Sequence, residues 1–354
     1  VASKTRTTAR QRATNAKAKN WAKEWLDAIL WAAAVALIVR TLLFEAYRIP
    51  TPSMEKTLLT GDFLIVSKLN YGLRTPMTIG IPFTDIHIQG LELPWFRVPG
   101  WQDVKRNDIV VFNYPIDLKV IAAKTNYIKR AVAVAGDTLE IRDKIVYVNG
   151  VKEVQRDTYE QVYRVTPRER VRISESKVAQ IGGEIRQADT FAYYISLTES
   201  ALTELQTWPE IASVELYVRP DAVNEADASR FDFRRGMGGN HDHMSPFVIP
   251  GRDITITLSP ETYPIYRLAI ERYEGNTVER HGSEFYINGA LARDYTFTKD
   301  YYFMMGDNRD NSEDSRMWGF VPEDHVIGKP AIIYFSIDME RFVPRFGRIF
   351  NLIN

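Results

Sequence analysis

Ser53 stands in the stretch Ile49-Pro50-Thr51-Pro52-Ser53-Met54, and Lys129 in Tyr127-Ile128-Lys129-Arg130-Ala131-Val132, with Gly136-Asp137 close behind. A serine hydroxyl is a poor nucleophile until a base takes its proton. Histidine is the usual base, yet none of His87, His241, His243, His281 and His325 sits in a motif-like setting. A lysine serves instead if it is neutral. Near pH 8 that requires a fall of roughly two units from a pKa of about 10.4, worth about 3 kcal/mol, which burial among apolar groups supplies. Lys129 has Ile128 before it and Ala131, Val132 and Val134 after it. If Ile128 to Val134 is a strand, Lys129 and Arg130 point to opposite faces, so that one can be buried as a base while the other forms an ion pair. A solvated basic pair is the plainer reading of Lys-Arg taken alone.

A second lysine competes for the role. Ser53-Met54-Glu55-Lys56 is itself an S-x-x-K sequence, the arrangement by which one helical turn brings lysine to serine in penicillin-binding proteins and serine β-lactamases. Those enzymes also need S-D-N and K-T-G elements, and Lys124-Thr125-Asn126 is the nearest approach here. Lys56 therefore reads as a surface residue.

A third constellation runs from Met304-Met305-Gly306-Asp307-Asn308-Arg309-Asp310-Asn311-Ser312-Glu313-Asp314-Ser315-Arg316 into Met317-Trp318-Gly319-Phe320. Its acids suggest calcium, but an EF-hand register needs a glycine at position six and a glutamate at position twelve, and neither falls there. A polar loop locked by Asp–Arg pairs is more economical, and such a loop can hold a catalytic lysine in place. His241 and His243 read as loop residues, so no metal or other cofactor is expected.

The elements that must position these residues begin with an apolar segment. Residues 1–23 hold Lys4, Arg6, Arg10, Arg12, Lys17, Lys19 and Lys23 and no acid. Ala28 to Val39 is then unbroken apolar sequence, and Trp25 to Phe44 has the roughly 20-residue length that a spanning helix needs. Trp21, Trp25 and Tyr47 fall where interfacial aromatics are expected, and the basic flank places the N-terminus in the cytoplasm. A cleaved signal peptide has the same order of regions, but no small-x-small site follows the apolar run. The net charge of +0 argues against nucleic acid as a partner. The absence of cysteine excludes disulfides and cysteine nucleophiles.

Beyond Arg48, short β-rich runs alternate with turn residues: Asp62 to Val66, Asp108 to Phe112, Leu139 to Ile141, and Lys144 to Val148 before Asn149-Gly150. Such runs predict antiparallel β structure. Val146-Tyr147-Val148-Asn149-Gly150 echoes as Phe285-Tyr286-Ile287-Asn288-Gly289, which two similar hairpins explain. Between them, 151–283 is more charged and predicts two helices, about Thr198 to Thr207 and Pro260 to Arg272. Ile79 to Trp101 reads equally as a buried hairpin or as an apolar edge that dips into a bilayer.

All three constellations, in this order after an apolar anchor, resemble the type I signal peptidases, the bacterial membrane-bound Ser–Lys class. The matching stretches are roughly 38–70, 105–150 and 284–338. The resemblance implies that Ser53 is the nucleophile and Lys129 the general base. It implies that the Ser53 N–H and the Thr51 hydroxyl form the oxyanion hole, and that Ser312 orients the lysine. Arg130, Asp307, Asp314 and Arg316 would form the supporting network, and Met54 would lie near the substrate pocket. Pro52 replaces a more usual glycine. The expected fold is mostly β: an N-terminal transmembrane helix followed by an antiparallel β catalytic domain with an inserted α/β lobe. The boundaries are 1–20 for a basic cytoplasmic tail, 21–45 for the anchor, 46–150 and 284–340 for the catalytic domain, 151–283 for the insert and 341–354 for a C-terminal tail. The implied activity is removal of signal peptides from exported preproteins that carry small residues one and three positions before the cut. It would take place on the outer face of the bacterial cytoplasmic membrane, with the lipid bilayer as second partner. The alternatives are an acyl enzyme of the penicillin-binding or β-lactamase type using Ser53 and Lys56, and a non-catalytic anchored scaffold. Soluble self-cleaving repressors share the Ser–Lys chemistry but not the anchor.

Overall fold

A computed structural model describes residues 21, 23–36, 39, 43–75, 96–168, 171–219, 233 and 240–353. Residues 23–36 are helical, and Leu26, Ile29, Leu30, Trp31 and Val35 on that helix are exposed. Among the described residues no helix is long and apolar enough to cross a membrane. Leu37, Ile38, Arg40, Thr41 and Leu42 of the expected span lie outside the described residues, as do the tail 1–20 and most of the apolar segment after Ile79. The anchor was expected to reach residue 45, but a strand, β1 (Phe44–Arg48), already begins at Phe44.

The sheet that carries the site is antiparallel and eight-stranded. Its order is β1, β2 (Asp62–Ser67), the long strand Val326–Asp338, β3 (Ile109–Asn113), β4 (Asn126–Ala133), Tyr301–Met305 and Val321–Pro322, with Val343–Pro344 pairing off the path. The expected runs are therefore strands within a residue or two. In β2 the alternation of Asp62, Leu64 and Val66 with Phe63 and Ile65 is mirrored in burial: the first set is fully buried and the second only partly. That is the period of two that a pleated strand imposes. Lys129 pairs across to Val110 on β3, and Arg130 to Ile109, so consecutive residues of β4 face opposite sides.

Segment 151–283 is not one lobe. Residues 161–216 form a sheet of four strands with the helices Glu175–Gln180 and Glu199–Leu205. Val165, Val178, Ile195, Leu197 and Leu205 close a core of their own there. Residues 244–273 instead pack with Leu139, Val146, Phe285 and Phe303 in a core shared with the body, and the strand Met244–Val248 pairs with Thr138–Arg142. Their helix starts at Tyr263 and runs to Tyr273, ending before Gly275 at φ 72. The sequence echo is two hairpins of one kind: Asn149 and Gly150 have φ 54 and 77, and Asn288 and Gly289 have 52 and 81. Positive φ at both central residues is the turn that suits the twist of a two-residue hairpin.

The expected C-terminal tail is built into the body. Arg348 donates to the Thr57 carbonyl at 3.0 Å and pairs with the buried Asp62 carboxylate at 2.6 Å. Ile353 joins Ile49, Met54, Leu58, Leu64 and Ile333 in the cluster beneath the Ser53 turn.

Candidate active site

Ser53 lies in a single 3-10 turn, Pro52–Met54. Proline at the first position suits such a turn, since its fixed φ matches and its missing N–H would be unpaired there anyway. The next N–H groups of a helical turn also lack internal partners, and no described group accepts from the Ser53 N–H. Thr51 precedes the turn in extended conformation (φ −132, ψ 155), is exposed and makes no capping bond. Met54 is fully buried among Ile49, Leu58 and Leu64. It thus lies in the packing behind the turn and not on an open surface.

Lys129 reaches this turn from the middle of β4. Its Nζ lies 2.5 Å from Ser53 Oγ, and only 3% of the residue is exposed. The Tyr127 ring, two residues away on the same face, is centred 5.5 Å from Nζ. Burial drives the Lys129 pKa down from 10.5 to about 8, against the opposing pull of Asp314 and Glu313. Without such burial the amine would stay an ammonium donor well beyond pH 8; with it, a neutral amine becomes abundant above about pH 8.

Lys56, the other candidate base, points elsewhere. Its Nζ donates to the Gly182 carbonyl at 2.8 Å and lies 3.4 Å from Glu160. The S-x-x-K stretch is not a helical turn, because the helical residues stop at Met54 and Lys56 has φ 68. Among the described contacts no histidine bonds Ser53. His325 is buried between Asp324 and Lys124, and His243 lies 3.6 Å from Asp143.

The loop 306–316 packs against both partners. Gly306 is confined: a Cβ there would sit 2.3 Å from Ser312 Oγ and 2.5 Å from the Ser53 carbonyl oxygen. Ser312 Oγ is buried and has no hydrogen-bond partner among the described residues. The residue expected to orient the lysine thus lies beside the Ser53 turn, but among the described residues no hydrogen bond joins it to Lys129. Asp307 receives two bonds from Arg130, at 2.8 and 2.6 Å, and one from Thr57 Oγ1 at 2.5 Å. Asp314 receives two from the Arg316 guanidinium, each 2.8 Å, one from the Arg316 N–H at 3.2 Å and one from the Gly306 N–H at 3.0 Å. Burial alone would raise the Asp314 pKa; Arg316 and the backbone donor outweigh it and hold the carboxyl at about 2. Asp310 is held by Lys144, and Glu313 by Tyr114 at 2.8 Å and Tyr127 at 3.3 Å. The acids are thus locked by basic and phenolic side chains. Removing one member of a buried pair strands the other charge and typically costs about 3–5 kcal/mol. Asp314→Ala is therefore expected to lower the unfolding free energy by about that amount, read as a denaturant midpoint shift at unchanged slope. A midpoint within error of the wild type would show that Arg316 finds another partner.

Three participants carry no obvious sequence signal. Asn308 donates its backbone N–H to the Ser53 carbonyl at 3.1 Å and its side-chain amide to the Pro52 carbonyl at 3.3 Å. Glu153 takes two bonds from Arg309, and Glu160 pairs through its backbone with Asp307 and Arg309. Asn308 lies inside a motif that reads as a loop, whereas the two glutamates come from a segment with no signature of its own.

The model of the family described as "Signal peptidase, peptidase S26" matches residues 22–231 and 270–335, most of the chain. The chain therefore belongs to the S26 family of signal peptidases, and it is a peptidase of that class. It is 26% identical over 340 residues to the signal peptidase I of Haemophilus influenzae, covering 90% of this chain and 71% of that one. It is 27% identical over 308 residues to the signal peptidase I of Aquifex aeolicus, covering 87% and 82%, and 24% identical over 341 residues to that of Rickettsia typhi, covering 96% and 89%.

Proposed function

We propose that this chain is a membrane-anchored serine endopeptidase that removes signal peptides from exported preproteins through a Ser53–Lys129 dyad. The observation that carries the reading is the 2.5 Å approach of a buried amine, its pKa lowered to about 8, to the hydroxyl oxygen of Ser53. The neutral Lys129 Nζ accepts the Ser53 proton as Oγ attacks the scissile carbonyl. The Ser53 N–H, left unpaired at the start of its turn, and the Thr51 hydroxyl stabilise the oxyanion; one such donor is typically worth about 3–4 kcal/mol. The Lys129 ammonium then gives its proton to the leaving amine as the C–N bond breaks. Water, deprotonated by the same amine, cleaves the acyl ester and frees Ser53. Ser312, buried beside the turn with a free hydroxyl, is the group available to steady the amine. Asp307, Arg130, Asp314 and Arg316 hold the loop on which Ser312 sits.

The exposed apolar side chains of the N-terminal helix support the anchor. An uncovered row of Leu, Ile and Trp favours burial in lipid. Strand β1 begins at Phe44, only a few residues further along the sequence, so the site stays near the bilayer surface, and tethering enzyme and preprotein to one membrane raises their effective concentration. In this reading the N-terminus is cytoplasmic, the active domain lies on the outer face, and the substrates carry small residues one and three positions before the cut.

Purified protein incubated with a preprotein bearing an Ala-x-Ala site is expected to release the signal peptide, with mass spectrometry placing the cut after the second alanine. The rate rises with pH through about 8, because deprotonating Lys129 creates the base. A rate that is flat from pH 5 to 9, or products cut elsewhere, would contradict the mechanism.

A further inference from the structure

The Ser53–Lys129 mechanism leaves Lys56, the lysine of the Ser53-Met54-Glu55-Lys56 motif, unused. After the turn at Ser53 the chain reverses through Lys56, which holds φ 68, a left-handed conformation that non-glycine side chains rarely adopt. The Lys56 amine bonds the lobe 161–216 at Gly182, which itself has φ 77 and joins the helix Glu175–Gln180 to the strand Glu184–Ala188. The same amine lies 3.4 Å from Glu160, whose side chain is 3% exposed and whose Oε2 has no hydrogen-bond partner among the described residues. Burial pushes the Glu160 carboxyl up, and Lys56 is the first charge opposing it.

Glu160 is also part of the site loop through its backbone. Its N–H donates to the Asp307 carbonyl at 3.0 Å, and its carbonyl accepts from Arg309 N–H at 2.9 Å. Between them Asn308 holds the carbonyls of Pro52 and Ser53. The contacts close a ring: Ser53 to Asn308, the loop to Glu160, Glu160 to Lys56, and Lys56 back along three residues to Ser53. Thr57, next in the chain, ties the same turn to Asp307 and so to Arg130, the neighbour of Lys129.

We propose that Lys56 is a positioning residue: by joining Gly182 and Glu160 to the chain just past Ser53, it fixes the nucleophile turn against the 307–309 loop, which makes the inserted lobe a working part of the active site. This rests on the Ser53–Lys129 reading. Lys56→Met, Lys56→Arg, Glu160→Gln and the double variant Lys56→Met/Glu160→Gln, each as the full chain in detergent, are compared by steady-state cleavage of one preprotein from pH 6 to 10. Lys56→Met lowers kcat tenfold or more and leaves KM within twofold. Its pH profile still rises through about 8, and Lys56→Arg, which keeps both bonds within reach, recovers most of the rate. Groups acting through one another are non-additive, so the double variant is no slower than Lys56→Met alone. A kcat within twofold of the wild type, a change confined to KM, or additive losses in the double variant would overturn the proposal. If Lys56→Met does not fold, Glu160→Gln alone decides: a severalfold loss in kcat supports the ring, and an unchanged kcat removes it. Cleavage that persists in Lys129→Ala would sink the dyad reading while leaving the Lys56 comparison intact. A Lys56→Met profile with no pH dependence would make Lys56 the base and end both.

Discussion

Lys129→Ala abolishes preprotein cleavage, a loss expected to be about a thousandfold or more, since a positioned general base contributes about 10²–10⁴-fold and the serine is inert without one. The fold survives the change. Burying this amine with its pKa lowered from 10.5 to about 8 costs stability wherever the folded-state lysine is protonated more reluctantly than the unfolded one. Below pH 8 both states bind the proton, and the full penalty, up to about 3 kcal/mol, is present. Between about 8 and 10.5 only the unfolded state binds it, so wild-type stability rises with pH across that window. Lys129→Met, which fills the same space without a charge, is therefore expected to be inactive yet more stable at pH 7, with the advantage fading toward pH 10.5. Product analysis by mass spectrometry and thermal melts at several pH values measure the two effects. Cleavage within tenfold of the wild type would exclude Lys129 as the base, and a variant less stable at pH 7 would show that the amine contributes packing beyond its cost.

Gly306→Ala is expected to cost about a hundredfold in kcat, although it adds one methyl group. The backbone at 306 does not have positive φ, so alanine fits it by conformation; only space is lacking. The new Cβ would meet the Ser53 carbonyl at 2.5 Å and Ser312 Oγ at 2.3 Å. A side-chain oxygen can turn aside, but a backbone carbonyl in the nucleophile's own residue cannot move without carrying Oγ with it, and displacement by about 1 Å is enough for a hundredfold loss. Cleavage assays with a folding control read the effect. A folded variant at wild-type speed would mean that the 306–316 loop shifts independently of Ser53.

The site was legible where chemistry is concentrated in short motifs. Lys129 and Arg130 are adjacent, and the two-residue period of a strand alone sends them to separate partners, Ser53 and Asp307. The acidic run after Gly306 is legible as a set of charge pairs because Arg316 and Asp314 lie within a turn of each other. What escaped is what depends on distant segments. Nothing around Glu153 or Glu160 announces that they meet Arg309 and Lys56, more than a hundred residues away in sequence. The division of 151–283 was equally hidden, since helix-forming patterns near 199 and 263 look alike while one packs in a separate lobe and the other in the body. Met54 shows the same limit: its place beside Ser53 pointed to the neighbourhood of a substrate pocket, while its packing with Ile49, Leu58 and Leu64 depends on segments that the motif does not reveal. The expected tail after 340 lacked any signature because its role is to brace other residues through Arg345 and Arg348.

That brace bears on how a newly made copy of the enzyme matures. Arg348 and Ile353 support the turn at Ser53 from almost three hundred positions downstream, and contacts so widely separated form late and slowly. A growing chain therefore carries Ser53 and Lys129 long before the contacts of Arg348 and Ile353 can form around the turn. The brace around the turn is complete only once the stretch through residue 353 has been synthesised.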